Sequence, residues 1–156
     1  MNTLIVYDSM YGNTEKVAEA IFDVVSKKGK AKIEKAENIN LNDLKSINLL
    51  IVGTPTQGGR PTTGIQEFLE SIPQEEFKNL KFTAFDTRFL ESDLGFILKR
   101  IVRTFGYAAP KISESLRSKG ATEIAAPEGF IVVEKEGPLK DGELLRVRKW
   151  AETVLE

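Results

Sequence analysis

Ser9, Gly12, Asn13 and Thr14 sit close together in the stretch Asp8-Ser9-Met10-Tyr11-Gly12-Asn13-Thr14, directly after the apolar run Leu4–Tyr7. Two hydroxyls and an amide offer side-chain donors, and Gly12 permits close backbone approach. Val17, Ala18, Ile21, Val24 and Val25 follow at helical spacing, so the stretch opens a helix. The first N–H groups of a helix point outward without intrahelical partners, and the helix dipole favours an anion there. The chemistry that fits is recognition of a terminal phosphate by neutral donors, because the loop holds no Lys or Arg. It matches neither GxxxxGKS/T nor GxGxxG, the triphosphate and dinucleotide patterns. Ser, Asn and Thr are also ordinary helix-capping residues, so a plain cap is the competing reading.

Two more polar stretches follow apolar runs. Leu49–Val52 leads into Thr54–Thr63, TPTQGGRPTT, and Phe82–Phe85 leads into Asp86–Glu91, DTRFLE. Ala31–Ala36 alternates as an edge strand does, and Phe130–Val133 is the last apolar run. Between the strands lie helical patterns. Thr63-Gly64-Ile65-Gln66 fits a capping box ahead of Phe68, Leu69 and Ile72. Leu94, Leu98, Ile101, Val102 and Phe105 form one amphipathic pattern capped by Ser92, and Ile112 and Leu116 form the next. Leu144 to Leu155 closes the chain as a helix, and Gly29, Gly106 and Gly120 read as helix stops. Alternating strands and helices predict right-handed crossovers and a parallel sheet covered on both faces. In such a sheet, ligands bind beyond the carboxyl ends of the strands. That is where all three polar stretches fall.

Composition narrows the chemistry. The 156 residues suit a single domain, 1–156, with a net charge of -1. That balance speaks against nucleic acid as a partner. The chain has no cysteine and no histidine, so thiol, imidazole and Ser-His-Asp catalysis are excluded, as are Cys and His metal sites. No metal ligand set and no catalytic acid or base stands out. Redox chemistry here needs an organic cofactor. No apolar run reaches the roughly 20 residues of a membrane span, so no membrane insertion is expected. The N-terminus lacks a signal-peptide pattern, which predicts a cytoplasmic location.

Ser9-Met10-Tyr11-Gly12-Asn13-Thr14-Glu15 resembles the phosphate loop of the flavodoxin family, S/T-x-T/Y-G-N/H-T-E. Val52–Thr62, VGTPTQGGRPT, resembles the second flavin loop, and GFIVVEKEGPLKDGELLRVRKWA resembles the last strand and helix of one subgroup. The resemblance covers nearly the whole chain. It implies a flavodoxin-like three-layer α/β sandwich around a five-stranded parallel sheet of order 2-1-3-4-5, with FMN at the switch between the first and third strands. It places the FMN phosphate on Ser9, Met10, Tyr11, Gly12, Asn13 and Thr14. It places the ring between Pro55, Thr56, Gln57, Gly58, Gly59 and Arg60 on one side and Asp86, Thr87, Arg88 and Phe89 on the other. The function implied is electron transfer between redox partner proteins, by a monomer or weak dimer that is a carrier more than an enzyme. SMYG also resembles the loop of flavin-dependent quinone reductases, so an FMN-dependent NAD(P)H or quinone reductase is an alternative. A binding protein of this fold without flavin is another.

The chain also departs from the family pattern. Its second loop has no aromatic residue, and the third has Phe89 in an unusual DTRF setting. Phe96, Phe105 and Tyr107 are further candidates to cover the ring, although helical spacing assigns Phe105 to the core. Arg60 and Arg88 put a cation in each ring-flanking loop. At ~6 Å and an effective dielectric of ~20, one such charge would favour the reduced flavin by about 3 kcal/mol, or roughly 100 mV. Pairing with Glu91 or Asp93, or solvation, would cancel that effect. Ser92–Phe105 is extra relative to the shortest relatives. It is expected to be a crossover helix packed on the sheet, with a lid or docking surface as the alternative.

Overall fold

The computed structural model describes all 156 residues. Four strands run side by side and parallel: β1 (Asn2–Tyr7), β2 (Lys30–Lys35), β3 (Leu49–Pro55) and β4 (Lys81–Arg88), in the order β2-β1-β3-β4. The fifth position is shared. β5 (Thr122–Glu123) pairs with β4 at Lys81 and Phe82, and β6 (Glu128–Ile131) pairs with it from Phe85 to Arg88. The expected order 2-1-3-4-5 therefore holds, with its last strand in two pieces. Pro127 lies in the gap and has no N–H to give a ladder. The Thr83 hydroxyl instead donates to the Ala125 carbonyl at 3.0 Å.

Strands buried on both faces read as continuous apolar runs because successive residues serve opposite cores. Leu4, Val6, Leu50, Val52, Phe82 and Ala84 face α2 (Thr63–Ser71) and α4 (Ala108–Ser118). Ile5, Tyr7, Leu49, Ile51 and Phe85 face α1 (Asn13–Val25) and α5 (Glu143–Val154). On that second face Phe85, Phe130 and Trp150 meet edge to face, with centroids 5.8 to 6.3 Å apart.

Several sequence expectations change here. The crossover packed on the sheet is α4, which buries Ala109, Ile112 and Leu116. The helix expected in that role, α3 (Phe96–Phe105), buries none of its residues. Its N-cap is Gly95, while Ser92 belongs to the preceding turn Glu91–Asp93. Phe105 is 49% exposed and so is not core. Its face of α3 hangs over the loops after β3 and β4 instead of reaching the sheet. The cap of α2 is Thr62, whose hydroxyl accepts from the Ile65 N–H at 3.4 Å, one residue ahead of the expected box.

Candidate functional site

Four loops meet beyond the carboxyl ends of the strands and enclose a cleft of about 430 Å³. That lies within the roughly 300–1,000 Å³ usual for small-molecule sites. Its walls come from Ser9, Met10, Tyr11, Asn13 and Thr14 after β1, from Pro55, Thr56 and Gln57 at the end of β3, and from Thr87, Arg88 and Phe89 at the end of β4. Val132 and Lys135, beyond β6, complete it. Sequence reasoning missed these last two. The available signal was that the final strand also ends on the ligand side of the sheet.

The loop after β1 separates the two readings of its polar residues. The N-cap of α1 is Gly12, in the left-handed conformation at φ 89°, and no side chain caps the helix. A glycine meets that backbone geometry without strain. Ser9 Oγ accepts from the Gly12 N–H at 3.0 Å. The Asn13 amide donates to the Glu136 carbonyl at 3.1 Å, and the Thr14 hydroxyl meets the Thr87 hydroxyl at 2.8 Å. All three candidate capping side chains are thus engaged elsewhere. The backbone N–H groups of Met10, Tyr11, Asn13, Thr14 and Glu15 have no acceptor in the protein. Asn13 and Thr14 are nonetheless buried. Buried N–H groups without partners are costly, and a cluster at a helix N-terminus is chemically matched to a phosphate dianion.

The walls are tied to one another. Asp8 accepts from the Ser9 N–H at 2.8 Å and from the Thr62 hydroxyl at 2.6 Å, joining the first loop to the second. The Thr56 N–H donates to the Thr87 carbonyl at 3.0 Å, and the Thr56 hydroxyl accepts from the Ala108 N–H at 3.1 Å. Gly137 lies so close over the Asn13 amide that a side chain at 137 would collide with it. The loop carrying Lys135 is thereby pressed onto the first loop.

β4 extends through Asp86, Thr87 and Arg88, three polar residues whose sequence pattern predicts a loop. Alternation along the strand then separates their roles. Thr87 turns toward α1 and the cleft. Asp86 turns toward α4, is fully buried and does not line the cleft. Its carboxylate takes two bonds from Arg88, at 2.6 and 2.7 Å, and one from the Ala109 N–H at 2.8 Å. Burial pushes the Asp86 carboxyl above its ordinary pKa against the pull of Arg88 and Ala109. The Arg88 guanidinium also lies 3.7 Å over the Tyr107 ring. Gly129 makes room for it, since a Cβ there would overlap the guanidinium. Arg88 is therefore neither solvated nor paired with Glu91 or Asp93, and its charge is largely neutralised at the cleft wall.

The remaining sequence candidates are divided between places. Gly12 shapes the first loop without lining the cleft. Gly58 and Gly59 line a second hollow of about 120 Å³, which shares Thr56, Arg88 and Phe89 with the cleft and is roofed by Leu94, Leu98, Ile101 and Val102. Arg60 lies outside both. Phe89 lines both hollows and Tyr107 only the smaller, while Phe96 is 81% exposed.

Comparison with known proteins bears on the fold and the family. No curated protein gives a match. Among solved structures, a flavodoxin from the domain Archaea superimposes with TM-score 0.73 at 21% identity, covering all of both chains. Flavodoxin 1 of Bacillus cereus gives 0.77 at 16% identity, covering 99% of this chain and 97% of the other. The rubredoxin oxygen:oxidoreductase of Desulfovibrio gigas gives 0.74 at 18% identity, where this chain covers 35% of the longer protein. These likenesses establish the fold. The flavodoxin family model matches residues 5–150. The chain belongs to the flavodoxin family, whose members bind FMN.

Proposed function

We propose that this protein holds FMN in the 430 Å³ cleft and carries electrons between soluble redox partners. Family and fold already support an FMN-type electron-transfer protein. The observation that carries the finer reading is the set of five acceptor-less N–H groups from Met10 to Glu15, left open while Ser9, Asn13 and Thr14 are used elsewhere. They would hold the phosphate. Lys135 makes no ion pair and adds a free cation to the same cleft. Pro55, Thr56, Gln57, Met10, Tyr11 and Phe89 would enclose the ring. Bound FMN supplies a ring that takes up and releases one or two electrons. The chain binds it, excludes water from its inner edge and keeps the charge of Arg88 balanced by Asp86. No side chain is assigned a proton-transfer role.

Titration of the apoprotein with FMN and with riboflavin tests this. Binding of FMN at least about 100-fold tighter than riboflavin is expected if five N–H groups meet the phosphate. Equal binding of the two would refute the phosphate assignment. Steady NAD(P)H oxidation with a quinone acceptor would overturn the carrier reading in favour of a reductase.

A further inference from the structure

We infer that α3 and the cations around it form a docking surface for an acidic electron-carrier protein, an inference that rests on the FMN reading above. α3, FILKRIVRTF, contains three cations and no carboxylate. None of its residues is buried, and Phe96 and Ile97 are 81% and 73% exposed. Leu98, Ile101 and Val102 turn down over the smaller hollow. At 100° per residue the opposite face presents Phe96, Lys99, Arg100 and Arg103. An apolar side chain ringed by cations, on a helix the topology does not need, has no packing role inside the molecule.

The surface continues past the helix. Arg60 and Lys111 share a shallow hollow next to it, and the Lys111 Nζ stands 6.0 Å from the Phe105 ring. Five cations thus stand against the carboxylates of Glu70, Glu91 and Asp93. Arg103 is paired with Glu91 at 2.6 Å, while Arg60, Lys99, Arg100 and Lys111 form no ion pair. The whole chain carries -1, so positive charge is concentrated on this face. It also adjoins the cofactor cleft, because the hollow under α3 shares Thr56, Arg88 and Phe89 with it. Exposed aromatic and aliphatic groups among Arg and Lys are the composition of a protein interface, and the charge selects an acidic partner. An anionic membrane fits less well, since a membrane-surface helix turns a broad continuous apolar face outward, whereas α3 points Leu98, Ile101 and Val102 over the smaller hollow and sets Phe96 among cations.

The test uses FMN-loaded protein and two soluble probes of opposite charge. A reduced plant-type [2Fe–2S] ferredoxin, acidic, loses one electron to the flavin. A basic ferric c-type cytochrome gains one from the reduced flavin. Native protein should react with ferredoxin about tenfold faster at low salt than at ~0.3 M. The charge reversal Lys99→Glu with Arg100→Glu should slow ferredoxin about tenfold and speed the cytochrome, with FMN affinity unchanged. Phe96→Ser with Ile97→Ser should slow ferredoxin without changing the salt dependence. Phe96, Ile97 and Arg100 are exposed and Lys99 is half-buried, on a helix that buries no residue, so the fold tolerates the changes. Rates indifferent to the reversal, or a native preference for the cytochrome, overturn the docking surface alone. So does α3-dependent binding to phosphatidylserine vesicles with ferredoxin rates unchanged. A chain that takes up no FMN overturns both this inference and the proposed function.

Discussion

Replacing Asp86 with Asn isolates the interaction on which the third cleft wall depends. The carboxylate is fully buried and accepts from Arg88 Nε, Arg88 Nη2 and the Ala109 N–H at 2.6, 2.7 and 2.8 Å. Asn keeps the shape but turns one acceptor into a donor, which then faces donors. Removing one partner of a buried ion pair costs about 3–5 kcal/mol. The Arg88 side chain keeps its stacking on Tyr107 and is 18% exposed, which places Asp86→Asn near the lower end, at about 3 kcal/mol. At ~1–3 kcal/mol per molar urea, the apoprotein midpoint should fall by about 1–3 M. Arg88→Gln should behave differently. The folded Asp86 pKa already lies above its unfolded value, and losing Arg88 removes its largest lowering influence. Stability conferred by the protonated form is then fully present below the unfolded pKa and is lost as pH rises through the folded one. The loss runs at up to ~1.4 kcal/mol per pH unit in that window. The double variant, with neither charge, should recover to within about 1 kcal/mol of wild type at pH 7. An Asp86→Asn loss below ~1 kcal/mol, or a double variant no more stable than Asp86→Asn, would refute the pairing as the element that holds this wall.

Four further outcomes follow from the same geometry. Gly129→Ala, whose Cβ would overlap the Arg88 guanidinium, should cost about 2–3 kcal/mol in wild type and much less in the Arg88→Gln background, measured by urea denaturation. Thr14→Val removes the buried bond to Thr87 and should weaken FMN binding about tenfold, with Thr14→Ser restoring it. Lys135→Gln should weaken FMN binding about fivefold at low salt and leave riboflavin binding unchanged, as titrations of both ligands would show. Burial raises the Glu143 pKa, but bonds from Arg146 and the Ile131 N–H outweigh it and hold the carboxyl below its ordinary 4.5. The stability it gives β6 is present above that value and is lost as pH falls through the folded pKa, so acid melting curves of Glu143→Gln should converge on wild type.

Much of this architecture was legible because burial on both faces leaves an unambiguous trace. Leu4–Tyr7, Leu49–Val52 and Phe82–Phe85 could hardly be anything but inner strands, whereas the side-chain donors read in the loop after the first are engaged within the protein and its backbone N–H groups are the ones left open. The role of the third stretch was not legible. Asp86-Thr87-Arg88 is polar enough to read as loop, yet the ladder to β6 runs through it as far as Arg88. Once it is strand, alternation puts Asp86 and Arg88 on one face and Thr87 on the other, and an apparent cation beside the ring becomes half of a neutral pair. That pairing depends on Gly129 and Ala109, which lie 41 and 21 residues beyond Arg88 and carry no local signal. The amphipathic pattern from Leu94 to Phe105 was also real, but periodicity reports that a helix has an apolar side and not which surface lies beneath it. Here that surface is the second and third loops, because α4 already occupies the sheet.

The two ends of the site are therefore built on different physical terms. The cleft walls are joined to one another by Asp8–Thr62, Thr14–Thr87, Thr56–Thr87 and Asn13–Glu136. These bonds tie the loops to one another, which limits how much ordering a bound cofactor would have to impose. Such a cleft can discriminate by shape and by its open N–H groups. α3 shows the reverse pattern. It is flanked by Gly95 and Gly106, buries no residue, and is fastened by the Arg103–Glu91 pair at the surface. Exposed ion pairs of that kind contribute little. In the proposed carrier, a partner would thus meet the cleft behind a surface helix that can adjust its side chains. That division suits a carrier, which must keep its flavin tightly while releasing each partner after a single electron has passed.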